Sequence, residues 1–337
     1  MGYRRLESEQ VRVAVNARQL FQQLEQHRLQ ADSVAGSMHW KTIHDREYLY
    51  RAYSYGKNRS LGVRSLETEQ IKYNFKRRQA DYKAREAEYR NQFKKYAAYI
   101  KANDLNRFPL AGARVLRSMH KQKIPYRLIG TNALYAFEAR AGVLIQPEHL
   151  ATEDMDVLMD ARQGIRIIAN LQEGSLLSLL KSSDKSFRRI SASPYEFAAA
   201  NDKGFRVDFI TQGVGSPMQR SAFDELLETD DLHPVVIDSL KWHVSAPHYD
   251  AIVFDLQGMP LRVATVDPRA FVLHKWFVSQ QPDREPMKRI RDEDQARLVA
   301  TMIQNELTDL PVSRAISRIF PHILQTAATD ALDDFSL

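Results

Sequence analysis

The stretch Asp154-Met155-Asp156-Val157-Leu158-Met159-Asp160 constrains this chain more than any other. Its apolar residues predict a buried β-strand. Successive side chains of a strand point to opposite faces, so Asp154 and Asp156 emerge together on one side while Met155 and Val157 pack on the other. At a rise of about 3.3 Å per residue, their Cα atoms lie roughly 7 Å apart. Ionised carboxylates are too costly to bury unpaired, so the fold must present this pair to water, a cation or a metal ion. Asp160 reads as the residue that ends the strand.

Composition narrows the setting. A chain of 337 residues suggests roughly two domains, each able to bury its own core. Cysteine is absent, which excludes disulfides and thiolate metal sites and fits a reducing compartment. No apolar run approaches the roughly 20 residues that span a bilayer, and the N-terminus carries no apolar signal core. Leu6 stands where a myristoylation pattern requires Ser or Thr, so the sequence reads as a soluble cytoplasmic protein without membrane contact. A net charge of +6 favours an acidic partner such as RNA, a nucleotide or a phosphorylated surface.

Three regions are expected. Residues 1–104 read as helical with a central hairpin. Val11, Val15, Leu20 and Leu24 lie at helical spacing in an amphipathic helix. In a second, long helix Phe75, Tyr82, Tyr89 and Tyr96 recur every seven residues, with Phe93 and Ile100 on an adjoining row. The intervening aromatic and β-branched stretch reads as a hairpin or extended connection displaying Lys57, Arg59 and Arg64 at its tip. Residues 105–266 alternate strands and helices in the manner of an α+β core with a mixed sheet. Strands are expected around Tyr126–Gly130, Asp154–Asp160, Phe187–Ser193, Tyr195–Asn201 and Gly204–Thr211, with a later hairpin over residues 251–266 turning near Gly258. Residues 267–337 read as helical.

Three features of the middle region belong together chemically. A strand ends in Ile129-Gly130 and is followed at once by Thr131 and Asn132 opening a helix that stops at Gly142. Backbone N–H groups at a helix start bind phosphate oxygens, and glycine allows an approach that a side chain would block. Asp154 and Asp156 offer the hard oxygen donors that suit Mg²⁺, whose site substrate phosphates commonly complete. A later strand brings Asp208 between Val207 and Phe209, a candidate general base or ligand in a two-metal in-line displacement.

These segments, Ile129–Gly142, Thr152–Asp160 and Arg206–Ile210, resemble the nucleotidyltransferase superfamily with the DNA polymerase β fold. That pattern is a hydrophobic residue, Gly, then Gly or Ser, a helix, Asp-x-Asp and a third downstream acid. The chain is most similar to a bacterial family within it, which shares the region around Trp40, Lys41, Tyr48–Arg51 and Ser60–Ser65. Thr131 replaces the usual Ser or Gly but keeps a hydroxyl. The resemblance implies Mg²⁺-dependent transfer of a nucleoside monophosphate from an NTP to an acceptor hydroxyl, with pyrophosphate released. By position it implies that Gly130 and Thr131 bind the triphosphate, that Asp154 and Asp156 bind metal, and that Asp208 completes the catalytic and metal-binding triad; Asn132, next in the turn, is a further substrate-binding candidate. Resemblance to toxin-type relatives, together with the basic helix of the N-terminal region, makes RNA the leading acceptor, a tRNA 3′ end being one form of it. A protein hydroxyl is the alternative, and a catalytically silent nucleotide- or RNA-binding module is a third reading.

Lys241 and Lys275 are candidate phosphate ligands because each interrupts an apolar helical face, where a lysine needs an anion. Arg289 and Arg291 are weaker candidates of the same kind. The aromatic stripe of the long helix reads as a packing seam rather than a base-stacking platform, and its basic residues, among them Arg77, Arg78, Lys94 and Lys95, as a solvated face with room for phosphate contacts. His243 and His248 lack the i, i+4 spacing of a helical zinc pair. No Walker A, G-x-S-x-G or Cys/His nucleophile pattern occurs, so P-loop and hydrolase readings have no support.

Overall fold

The strand alternation read in the sequence is realised in a computed structural model, which describes residues 2–53, 58–171, 174–190, 198–213, 227, 231–311 and 314–332. Lys57 and residues 191–197 of the expected strands lie outside them. The chain divides into two compact units, Arg12–Asn103 and Met1–Val11 with Asp104–Leu337.

Strands are numbered in chain order. β1 (Tyr3–Arg5) precedes the helix Ser8–Arg28, and the Arg12–Asn103 unit then contains β2 (Ser37–Ile43), β3 (Arg46–Ala52), β4 (Asn58–Val63) and the helix Leu66–Ala102. The expected hairpin is a three-stranded antiparallel sheet in the order β2-β3-β4. Its first turn is His44-Asp45, both in the left-handed region at φ 46° and 57°. Such two-residue turns usually carry Asn-Gly or Asp-Gly, which is why composition did not mark this one. Ser65 starts the long helix with a reciprocal cap: its hydroxyl accepts from the Thr68 N–H and its own N–H donates to Thr68 Oγ1.

The aromatic stripe is a seam, as its spacing indicates. Phe75, Tyr89, Phe93 and Ile100 are buried, Phe21 meets Phe93 edge-on at 6.3 Å and His27 stacks on Tyr82 at 4.1 Å. The face of the first helix differs from the expected one. Val11 and Val15 are exposed, whereas Val13, Ala14, Ala17, Leu20, Phe21 and Leu24 are buried. The small Ala14 and Ala17 carry part of the buried face, and a pattern of large residues overlooks them.

The other unit has the α+β class expected. After the helix Leu110–Lys121 come β5 (Arg127–Leu128), the turn Gly130–Ala133, the helix Leu134–Ala141, β6 (Val143–Ile145), β7 (Asp154–Met159) and the helix Leu176–Ser183. β8 (Arg188–Arg189), β9 (Ala198–Ala200), β10 (Arg206–Thr211), β11 (Val235–Val236), β12 (Tyr249–Phe254) and β13 (Pro260–Thr265) complete the strands, and the helices Pro268–Ser279, Pro286–Asn305 and His322–Ala331 follow. Gly142 takes φ 67° as the left-handed cap that ends the helix before it. The main sheet runs β12-β13-β5-β7-β10-β9-β8, with β11 also paired to β10. It is mixed: β10 is parallel to β7 and β11 but antiparallel to β9, and β5 is antiparallel to β7. Its core unites Phe108, Leu128, Phe137, Met155, Val157, Phe209, Phe271 and Val299. Among the described residues, no helix is long and apolar enough to cross a membrane.

Candidate functional site

The sheet register assembles the acidic site. β7 and β10 run parallel with Asp154 beside Arg206 and Asp156 beside Asp208, while the intervening Met155 and Val207 point to the opposite face and are fully buried. Strand alternation therefore places three carboxylates and one guanidinium on a single face of two adjacent strands. Arg206 Nε donates to Asp208 Oδ1 at 2.5 Å, and the Thr152 hydroxyl donates to Asp154 Oδ1.

Electrostatics reflects this crowding. Burial, followed by the charges of Asp154 and Asp208, pushes the Asp156 carboxyl up to about 7, against the pull of Lys275 and Arg206. Burial also raises Asp208, with Arg206 opposing it. Acids that crowd Asp156 this way present oxygen donors whose repulsion a hard cation would relieve. Among the described residues no three acidic or imidazole side chains converge into a ready-made metal cage. Mg²⁺ does not require one, because it is typically held by one or two carboxylates with water and substrate phosphates supplying the rest. The residues present therefore fit such an ion, which Asp154 and Asp156 would hold with Asp208 beside them.

The glycine turn abuts this cluster. Gly130 has φ 63°, and a Cβ there would come within 2.4 Å of Asp156 Oδ2. Only glycine permits both the left-handed backbone and that approach. Thr131 and Asn132 are buried, and their side chains act inward. Asn132 Nδ2 donates to the Asp154 carbonyl at 2.6 Å, so it ties the turn to the start of the acidic strand. Thr131 Oγ1 accepts from Gln295 Nε2 at 3.1 Å, and the same amide donates to the His149 carbonyl at 3.0 Å. Asn132 Oδ1 and Gln295 Oε1 are buried without hydrogen-bond partners.

A cavity of about 230 Å³ opens beside this turn, lined by Gly130, Asp156, His243, His274, Lys275 and Asp292 among others. Lys275 is buried as expected, and it already has an anion: its Nζ donates to Asp292 Oδ1 at 2.5 Å, while Arg284 holds Asp292 Oδ2 at 2.8 Å. Burial lowers the Lys275 ammonium below its ordinary value, against the stabilising charge of Asp292. Lys241 stands differently. It is exposed at the start of a short helix and does not line the cavity, so burial demands no anion for it. Arg289 Nε donates to the Ser279 carbonyl at the end of the preceding helix, and Arg291 Nε is buried without a partner. Asp160 is bound by Arg162 and by Gln212 at the end of β7, in keeping with its reading as a strand-end residue. A larger cavity of about 300 Å³ around Tyr126, Arg127 and His248 contains none of the candidate residues.

Sequence reasoning passed over four contributors. Arg206 was legible in principle, because it lies two residues from Asp208 in the same strand and so shares its face. Gln295 had a fainter signal as a polar residue in line with Leu298, Val299 and Met302. Asp292 and Arg284 carried none, since their importance comes from Lys275 on another helix.

A family model described as nucleotidyltransferase matches residues 112–321, more than half of the chain. No curated protein matches. The crystal structure of an antigenic nucleotidyltransferase-like protein from Paracoccidioides brasiliensis is similar, at 16% identity and a TM-score of 0.31, over 68% of this chain and 95% of that one.

Proposed function

The chain belongs to this nucleotidyltransferase family, and from that premise we propose that it moves a nucleoside monophosphate from an NTP to an acceptor hydroxyl at the site around Asp154, Asp156 and Asp208. The observation that carries the reading is the register of β7 and β10, which sets Asp208 directly beside Asp156 on the face that Gly130 approaches.

In this reading the acceptor oxygen forms a bond to the α-phosphorus as the bond from that phosphorus to the bridging oxygen breaks, and pyrophosphate leaves with the electron pair. Asp208 takes the hydroxyl proton, and Arg206 holds its carboxylate in place. The Gly130–Ala133 turn offers backbone N–H groups to the phosphates, and Lys275 contributes positive charge from the cavity wall. Mg²⁺ held by Asp154 and Asp156 would supply neutralisation of the phosphate charge, and a pair of ions would suit an in-line displacement. Residues 105–266 then form a polymerase-β-like core, and the 267–337 region contributes Lys275 and Asp292 to the cavity. RNA is the proposed acceptor, with a protein hydroxyl as the competing one.

The test is incubation of the purified protein with each α-³²P-labelled NTP and Mg²⁺, alone and with total RNA, beside Asp154→Ala and Asp156→Ala. Label moving onto RNA, and lost in both variants, is the expected result. Label on protein instead would replace the acceptor. Metal-dependent NTP binding without transfer to either would overturn the enzymatic reading in favour of a binding module.

A further inference from the structure

The two faces of the three-stranded sheet differ in a way that the transfer site does not explain. One face is covered by the helix Leu66–Ala102. Leu49 is completely buried, Lys72 Nζ and the Arg64 guanidinium lie 5.0 and 5.2 Å from the Trp40 ring, and the Arg51 guanidinium lies 5.0 Å from the Phe75 ring. The pairing register fixes the opposite face, because directly opposed residues of antiparallel strands share a side. His39 faces Tyr50, Lys41 faces Tyr48, Ile43 faces Arg46, and Tyr50 faces Ser60 across the other edge. His39, Lys41, Arg46 and Ser60 are exposed, and Tyr48 and Tyr50 are half-exposed.

We propose that this open face is a platform for single-stranded RNA. Its chemistry is aromatic and basic. The His39 and Tyr50 rings lie near-parallel, 6.4 Å apart and inclined by 23°, and Lys41 Nζ is 5.7 Å from the Tyr50 centroid. No carboxylate stands at the outward positions of β2 and β3. Glu47 belongs to the covered face, where Arg64 pairs with it at 2.5 Å. Rings that can stack on bases, beside cations that can meet phosphates, are the combination by which proteins hold single strands.

Spacing selects a single strand over a duplex. Tyr48 and Tyr50 are two residues apart on one strand, about 6.8 Å at strand rise, roughly twice the 3.4 Å separation of stacked nucleotides. Neighbouring bases can meet both rings only when splayed apart, which a duplex forbids. Ser37, Ser60 and the two phenols offer hydroxyls that both donate and accept, as the ribose 2′-hydroxyl does. The proposal deepens the transfer reading by naming the acceptor class and rests on that reading only for the role of the bound strand.

Fluorescence anisotropy of the full chain tests it, with a fluorescein-labelled mixed-sequence 20-mer as single-stranded RNA, as RNA duplex and as single-stranded DNA. The expected result is preferential binding of the single-stranded RNA, weakened roughly five- to a hundredfold by Tyr50→Ala or Tyr48→Ala and kept within about twofold by Tyr50→Phe. Lys41→Ala should weaken binding and flatten its salt dependence. Circular dichroism of each variant establishes that it is folded. Binding unchanged by the tyrosine variants but abolished by Arg77→Ala and Lys94→Ala would move RNA to the long helix and overturn the proposal, as would equal affinity for the DNA or the duplex. Nucleotidyl transfer is read in parallel as pyrophosphate release. Transfer to a protein without RNA binding would overturn the platform and leave the transferase reading, whereas Tyr50-dependent RNA binding without transfer would do the reverse.

Discussion

Replacing Gly130 by alanine tests the contact on which the acidic site is built. The new methyl group incurs two costs. The backbone holds φ 63°, a left-handed conformation that costs an L-residue about 1–2 kcal/mol. The Cβ would also stand 2.4 Å from Asp156 Oδ2, and the resulting overpacking costs about 1–3 kcal/mol. Together Gly130→Ala should lose about 2–5 kcal/mol, a fall in Tm of about 4–10 °C. The second cost depends on Asp156 and the first does not. In an Asp156→Ala background the glycine substitution should therefore lose only the backbone share of about 1–2 kcal/mol, which leaves a coupling energy of about 1–3 kcal/mol between the two positions. Urea unfolding of the four proteins in this cycle measures that coupling directly. If Gly130→Ala costs the same in both backgrounds within about 0.5 kcal/mol, the close approach does not shape the site, and the reason given for glycine at this position is wrong.

Other perturbations probe the surroundings. Burial, with the charges of Lys275 and Arg284, lowers His274 from 6.5 to about 3 against the opposing charge of Asp292, so between those values the unfolded chain binds a proton that the folded chain does not. Stability should fall as the pH drops below 6.5, by about 1.4 kcal/mol per unit from this group and about 2 kcal/mol in all at pH 5; His274→Asn should flatten the profile, and an unchanged slope would refute the assignment. Asp156→Asn removes a charge that the fold disfavours, so it should raise Tm more at pH 8 than at pH 5 while abolishing transfer. Asp292 is fully buried between Lys275 and Arg284, and Asp292→Ala should cost about 3–5 kcal/mol by leaving Lys275 unpaired; a loss below about 1 kcal/mol in urea unfolding would show that water or another anion replaces it. Asn132→Ala should cost about 1–2 kcal/mol through its hydrogen bond to the Asp154 carbonyl and lower kcat, with unchanged kcat contradicting a positioning role.

Local rules reached far along this chain where a single element decided the outcome. The helix over Leu134–Ala141, its stop at Gly142 and the strand around Asp156 all follow from residues within a few positions of one another. Reading was weaker where small or atypical residues carried the signal. Ala14 and Ala17 bury a helix face that Val11 and Val15 do not, and His44-Asp45 makes a tight turn without the usual glycine. Lys275 shows the limit most clearly: its need for an anion was legible, but Asp292 as the partner was not.

The sequence by itself determined that Asp154 and Asp156 share one side of a strand and that a glycine opens the helix before them, because alternation and backbone freedom are properties of the local chain. Only the tertiary structure decided that Asp208 lies beside Asp156 while Arg206 lies beside Asp154, that Gly130 presses against that carboxylate, and that Gln295 reaches Thr131 across 164 positions of sequence. Those pairings depend on register and packing between distant segments. A shift of β10 by one residue would turn Asp208 into the core, and the burial of Val207 and Met155 on the opposite face is what prevents it.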